Sequence, residues 1–245
     1  MKSLFHYTSV NNLALILQSK TIRFNRLDKV NDPTEGLSND FQSMAPYIFV
    51  SCWTANTQEN LALWNMYTPQ MRGVRIQLNL PIFNSYEVEG IENLLLNESE
   101  TVNENIGYFA IGLNDPLKLV YTDDPDLLSP PICVEGGLHL RAIAKHKRKM
   151  WSFEEEYRYR LDILPLDKKI KSENFPDRYQ HLITNKTPAP IEELFIKIEE
   201  QSFETMEIVS GPKMIKGDLE IIQALINTYN TKAKYSFSEL VGLIR

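Results

Sequence analysis

The sequence predicts an α+β domain, and three observations carry that reading. From Gly73 to Leu80, Val74, Ile76, Leu78 and Leu80 alternate with Arg75, Gln77 and Asn79, the period-two pattern of a half-buried strand. After Ser9, and again from Asp218 to Tyr229, apolar residues recur instead at helical spacing. The composition is that of a packed chain: 245 residues, 43% hydrophobic, 24% charged and 10% aromatic. That is enough apolar surface for a core without disulfide or metal, and it excludes a disordered chain.

Taken in order, Leu4–Thr8 reads as a short strand and Ser9 as the N-cap of a helix whose Val10, Leu13, Ile16 and Leu17 share a face. Thr21–Phe24 is a second strand. Asn25, Asn31-Asp32-Pro33 and Gly36 are residues that turn a chain by side-chain hydrogen bonds, fixed φ or tolerated positive φ, so an ordered loop is expected there. Tyr47–Trp53 is strand-like, and Thr57 is expected to cap a helix ending at Tyr67. Between Ile76 and Leu117 no Lys or Arg occurs while Glu87, Glu89, Glu92, Glu98, Glu100 and Glu104 accumulate, which predicts an acidic helical surface insertion over 86–116.

A strand at Leu117–Thr122 precedes the breakers Asp123-Asp124-Pro125 and Pro130-Pro131. A helix is expected from about Val134 to Lys149. Its basic end, with Arg141, Lys145, Lys147, Arg148 and Lys149, suits the negative pole of a helix and could also meet a phosphate. Phe153–Leu161 reads as a strand with Glu154, Glu156, Arg158 and Arg160 on one face and Phe153, Glu155, Tyr157, Tyr159 and Leu161 on the other. Glu193–Ile198, Met206–Val209 and Tyr235–Phe237 are further strands, and the helix Asp218–Tyr229 is expected to turn Ile221, Ile222, Leu225, Ile226 and Tyr229 inward. With no repeat and no linker, residues 1–245 are read as a single domain.

Twenty-six Lys+Arg against 32 Asp+Glu leave a net charge of −6, which disfavours attraction of the whole molecule to nucleic acid or anionic membrane. Cys52 and Cys133 stand in no metal-like or redox spacing, and MKSLFHYTSV lacks the apolar stretch of a secretory signal, so a cytoplasmic protein is expected. No run approaches the roughly 18 consecutive apolar residues of a membrane span. His6, His139, His146 and His181 are scattered, with no HExxH or CxxC, and no metal cofactor is expected. No Walker or GxGxxG loop occurs either. Cys52, with no GxSxG around it, reads as a core residue.

Three constellations can carry chemistry. In the block Trp151 to Arg158, residues Glu154, Glu156 and Arg158 would succeed one another about 6.6–6.8 Å apart on one strand face. Arg158 can then hold Glu156 ionised while Glu154 acts nearby, an arrangement that can stabilise a developing cation or align a ribose hydroxyl; a structural ion-pair ladder fits the same spacing. The second constellation is Phe5-His6-Tyr7-Thr8, a strand end opening into a helix. The third is Ser51-Cys52-Trp53 with Asn60, Trp64 and Tyr67, aromatics suited to core packing or to stacking on a planar ligand.

The blocks FHYTS, TIRFNRL, VNDPTEGL, SCWT, NLALWNMYTPQMRGVRIQL, KRKMWSFEEEYRYRL and EIVSGPKM together resemble the bacterial domain of unknown function 2971, the family of AbiGi-like abortive-infection proteins. SLFHYTSVNNLALILQSKTIRF also resembles the opening of ADP-ribosyltransferases of the His-Tyr-Glu type. That second resemblance implies an ADP-ribosyltransferase-like split sheet and NAD as substrate. His6, flanked by Tyr7 and Thr8, would hold the adenosine ribose, Tyr67 or Trp53 would stack on nicotinamide, and Glu156 would bind the nicotinamide ribose, with Glu154 as its paired acid. Apart from that resemblance, the residues themselves place Arg158 on the Glu156 face and a capped loop with Asn31 and Asp32 beside the same cleft.

The expected function is therefore a NAD-dependent ADP-ribosyltransferase-like enzyme or NAD glycohydrolase in phage defence or toxin action. Its partners would be a protein or nucleic-acid acceptor and a phage-derived trigger, with no membrane. The alternatives are a Mg²⁺-dependent nuclease using Glu154 and Glu156, with Lys149 nearby and Asp32 or Glu35 as a third acid, and a non-catalytic sensor.

Overall fold

The computed structural model describes residues 2–84, 86–88, 91–93, 99–101, 106–112, 115–134, 137–167, 185 and 187–244. Helices pack against a mixed sheet whose named strands are β1 (Ser3–Ser9), β2 (Thr21–Arg26), β3 (Ile48–Thr54), β4 (Gly73–Asn79), β5 (Ile106–Gly112), β6 (Glu156–Asp167), β7 (Glu193–Lys197), β8 (Glu207–Ser210) and β9 (Lys234–Phe237). The main path runs β9-β8-β4-β1-β3-β6-β5 and on to Ser99–Thr101, while β2 pairs with β3 and β7. Only β8 and β9 pair in parallel among these.

Along one edge β3 pairs with β6 through its whole length, from Glu156 opposite Thr54 to Asp162 opposite Ile48. Along the other edge two strands share it: β1 meets it at Thr54, opposite Phe5, and β2 meets it at Val50 and Phe49, opposite Asn25 and Arg26. The sheet therefore splits beside Ser51–Trp53. The stranded backbone carbonyl of Cys52 is taken up by the His6 side chain, Nδ1 to O 2.9 Å, as buried backbone polar groups require.

The helix α1 (Val10–Ser19) lies between β1 and β2, capped as expected by Ser9, whose hydroxyl accepts from Asn12 N–H. Leu13, Ile16 and Leu17 are its buried face. They join Leu4, Ile22, Phe24, Trp53, Val74, Ile76, Leu78, Tyr159, Leu161 and Ile196 in the main core. The helix α2 (Leu61–Tyr67) is shorter than predicted, because Asn60 rather than Thr57 caps it, accepting from Ala62 and Leu63 N–H. In α3 (Lys216–Tyr229) Ile222 and Ile226 are buried, but Ile221 and Tyr229 face solvent, which corrects their inward assignment.

Two predicted helices are absent among the described residues. Where 86–116 is described, much of it is strand, Tyr86–Val88, Ile91–Asn93, Ser99–Thr101 and β5. The run Ile106, Tyr108, Phe109 and Ile111 favours a pleated sheet, and β5 pairs along β6 from Ile106 opposite Asp167 to Gly112 opposite Leu161. The described residues of 134–149 likewise form no α-helix: short strands at Cys133–Val134, Gly137–Leu138 and His146–Arg148 flank a 3₁₀ turn. Arg160 pins that turn by donating to the carbonyls of Leu140 and Ile143. The segment His146–Arg148 pairs in parallel with Val120–Thr122, forming a flap beside the start of β6.

Candidate active site

The site is built where β6 begins. Glu154 ends a 3₁₀ helix, Lys149–Glu154, and Glu155 adopts a left-handed conformation, φ 45°, before the strand starts at Glu156. Glu154 is therefore not a strand residue, which corrects the three-on-one-face reading. Glu156 and Arg158 do share a strand face, with Cys52 directly opposite Arg158. The turn at Glu155 nevertheless brings the Glu154 carboxylate back to the same place.

That place is a closed cluster of five charged groups. Lys147 Nζ lies 2.6 Å from Glu154, 3.1 Å from Glu156 and 3.3 Å from Glu35. Arg158 donates through Nε to Glu156, 2.7 Å, and through Nη1 to Glu35. The side chains of all five are between 0% and 4% exposed. Tyr67 donates its hydroxyl to Glu154 Oε1 at 2.5 Å, and the Glu156 N–H donates to the Tyr121 hydroxyl. Lys147 also sits over the Trp151 ring, 4.9 Å from its centroid.

Three carboxylates facing two cations leave one negative charge in excess if all are ionised, and the groups divide accordingly. Burial alone would raise Glu156, but Arg158 and then Lys147 outweigh it and hold the carboxyl down at about 2. Glu154 goes the other way: burial and the neighbouring Glu156 charge push it up despite Lys147. Lys147 is raised, since the carboxylates outweigh the cost of burying it. Burial lowers His6, which is therefore the neutral imidazole. With Nδ1–H donated to Cys52, its Nε2 is left as an acceptor.

His6, Cys52, Tyr67 and Glu156 line both of two adjoining spaces at the split. The inner one is narrow, about 70 Å³, and adds Glu154, Trp53 and Leu63. The outer cleft, about 370 Å³, adds Asn31, Lys147 and Arg158 and continues along α1 and β2, within the size range of small-ligand sites.

The predicted site residues are thus partly brought together. Glu154, Glu156, Arg158, His6, Tyr67 and Asn31 converge. Cys52 belongs to the cleft rather than to the core alone, and burial beside Glu156 pushes its thiol up. Of the two stacking candidates, Trp53 is 3% exposed, with its indole N–H on Ser51, and lines the inner space alone; Tyr67, 37% exposed, lines both spaces. Tyr7 and Thr8 line the outer cleft but are engaged structurally, Tyr7 accepting from Asn60 N–H and packing edge-on against Trp64, and Thr8 accepting from Asn12.

Asp32 stands behind the site. It accepts from Thr34 N–H and hydroxyl and from Arg148. Beside it, Gly36, at φ 86° and with Ala45 2.7 Å from where a Cβ would stand, lets the loop turn close enough to deliver Glu35. Lys149 is exposed and pairs with Asp123. The second cation at the site, beside Arg158, is Lys147, which in the sequence is one member of a basic run with nothing local to set it apart.

No family model, curated protein or solved structure matches the chain. No helix of the described residues is long and apolar enough to cross a membrane.

Proposed function

We propose that the protein cleaves the ribose–nicotinamide bond of NAD, as an ADP-ribosyltransferase-like enzyme or a NAD glycohydrolase. The observation that carries the reading is the split along β3, which opens one cleft with His6 on one wall and Glu156, 150 positions later in the chain, on the other. His6 Nε2 accepts from a ribose hydroxyl. The Tyr67 ring covers the nicotinamide, and the excess negative charge of the Glu154–Glu156 wall draws the positive charge that develops on the ribose as the bond breaks. A cationic ring entering the inner space faces that wall and offsets the neighbouring negative charge that, with burial, raises Glu154. The resemblance to abortive-infection proteins assigns the activity to phage defence or toxin action, with a protein or nucleic-acid acceptor and a phage-derived trigger.

The nuclease alternative is less well supported, because its acids are engaged: Glu154, Glu156 and Glu35 all face Lys147, and among the described residues no group of three or more His, Cys, Asp or Glu is arranged to hold a metal ion. The test is a calorimetric titration of the purified full chain with NAD, paired with a nicotinamide-release assay with and without nucleic acid and divalent metal. Binding with release is expected. Binding without release under every condition would make the protein a sensor, and absence of binding would refute the reading.

A further inference from the structure

Each oxygen of the Glu156 carboxylate meets its own cation: Oε1 accepts from Arg158 Nε at 2.7 Å, and Oε2 accepts from Lys147 Nζ at 3.1 Å. Glu35 holds both of those cations from the other side, Arg158 through Oε2 and Lys147 through Oε1, the latter at 3.3 Å. Glu156, Arg158, Glu35 and Lys147 therefore close a ring of alternating charge, on which Glu154 hangs through Lys147. Arg158 has two anchors in that ring and no more, since its Nη2 has no hydrogen-bond partner among the described residues. Its side chain is 0% exposed, so solvent does not replace an anchor that is lost. Glu35 itself lines neither the inner space nor the outer cleft, whereas Glu156 lines both.

The loop that carries Glu35 is fixed from several directions. The Glu35 N–H donates to the Asp32 carbonyl, and the Gly36 carbonyl accepts from Met44 N–H. The Asp32 carboxylate is held by Arg148, the residue after Lys147, so two successive residues of the flap each grip one acid of this loop.

We infer that Glu35 is a positioning residue of this site: from behind the cleft it fixes Arg158 and Lys147 in the arrangement in which each grips a separate oxygen of Glu156, and so sets how that carboxylate faces the ligand. Its effect on turnover rests on the NAD reading; its hold on the two cations does not, and the experiment reads the two apart. In Glu35→Gln the amide oxygen can keep Arg158, which turns the amide N–H groups toward the Lys147 ammonium, donor against donor. Lys147 then shifts toward Glu154. Burial raises Glu154, and among the groups that face it, Lys147 and Tyr121 of the flap, Glu156 of β6 and Tyr67 of α2, Lys147 does most to oppose that rise.

The full chain is prepared as wild type, Glu35→Gln and Glu35→Asp, with isotope-labelled glutamate carboxyls, so that the Glu154 resonance, assigned by its loss in Glu154→Gln, is followed by nuclear magnetic resonance as pH changes. Each protein is also melted, titrated with NAD and assayed for nicotinamide release. In Glu35→Gln the Glu154 titration moves to lower pH and kcat falls roughly 10–10²-fold, the scale of a displaced reacting group, while Kd and KM for NAD stay as in the wild type. Glu35→Asp, which keeps the charge but is one methylene short, lies between the two in both readouts. A residue that only supported the fold would lower the melting temperature and leave kcat and the Glu154 titration of the folded protein unchanged. That result overturns the inference, as does a KM that moves while kcat does not. If Glu35→Gln does not fold, a Glu35→Asp protein indistinguishable from the wild type in both readouts overturns it equally. A shifted Glu154 with no nicotinamide release from the wild type leaves the hold of Glu35 on the cations standing and removes the cleavage chemistry; release with a kcat indifferent to Glu35 does the reverse.

Discussion

The two ends of the cleft hold ion pairs of the same chemical kind in opposite surroundings. At the inner end Arg158 meets Glu156 at 2.7 Å with both side chains at most 4% exposed; at the outer end Arg23 meets Glu193 at 3.3 Å with both about half exposed. Water screens the outer pair, so its geometry is replaceable and either partner is free to serve a ligand. The inner pair has no water to fall back on. Its energy lies in the penalty for breaking it, and its protonation states are set by neighbours rather than by solvent. A single cleft can thus have one end fixed in charge and geometry, suited to chemistry, and another that is adjustable, suited to recognition.

The largest effect is expected at Lys147, the one cation shared by three carboxylates. Lys147→Met should cost on the order of 3–5 kcal/mol, as loss of one partner from a buried pair does. A denaturant melt checks it, and a variant as stable as the wild type would erase the difference between the two ends. Next comes the acid limb of stability. Glu156 is depressed from 4.5 to about 2, so its contribution is present above 4.5 and lost as pH falls through about 2. Glu154, raised in the folded state, contributes with the opposite sign: its share is present below 4.5 and lost as pH rises through its folded value. Melts of Glu156→Gln between pH 2 and 5 should accordingly be flatter than those of the wild type; parallel curves would mean that Glu156 is not held low.

Smaller still is Tyr67→Phe, which removes one hydroxyl from Glu154 and should cost about 1 kcal/mol while leaving the ring. A thermal melt should show that modest drop; a loss as large as that at Lys147 would place Tyr67 within the supporting network rather than at its edge. Arg23→Ala should change stability by less than about 1 kcal/mol and is read in the same melt. A loss comparable to Tyr67→Phe would show that the outer pair is not the loosely held contact its exposure suggests.

The sequence made one half of this site legible and hid the other. Glu156 and Arg158 were readable because a strand's period of two forces them onto one face, and His6 because it stands where a strand opens into a capped helix. Glu35 follows a turn, where no periodicity reports direction; it was seen only as a spare acid. Lys147 was misread because a basic run between prolines satisfied a helix-end pattern, while the short parallel pairing with Val120–Thr122 is a long-range fact that no local window contains. The acidic segment failed as a helix because β6 extends past Leu161 and supplies an edge on which β5 pairs.

The most direct test of the central claim is the Glu156→Gln protein. The amide keeps an acceptor for Arg158 and is nearly isosteric with the carboxylate, and Glu35 and Glu154 are left facing the two cations Lys147 and Arg158, so the protein should stay folded. Nicotinamide release from NAD, measured beside the melt, should fall on the order of 10²–10³-fold, as when a principal electrostatic stabiliser is lost, with NAD affinity little changed. A folded Glu156→Gln protein that releases nicotinamide at the wild-type rate would contradict the account.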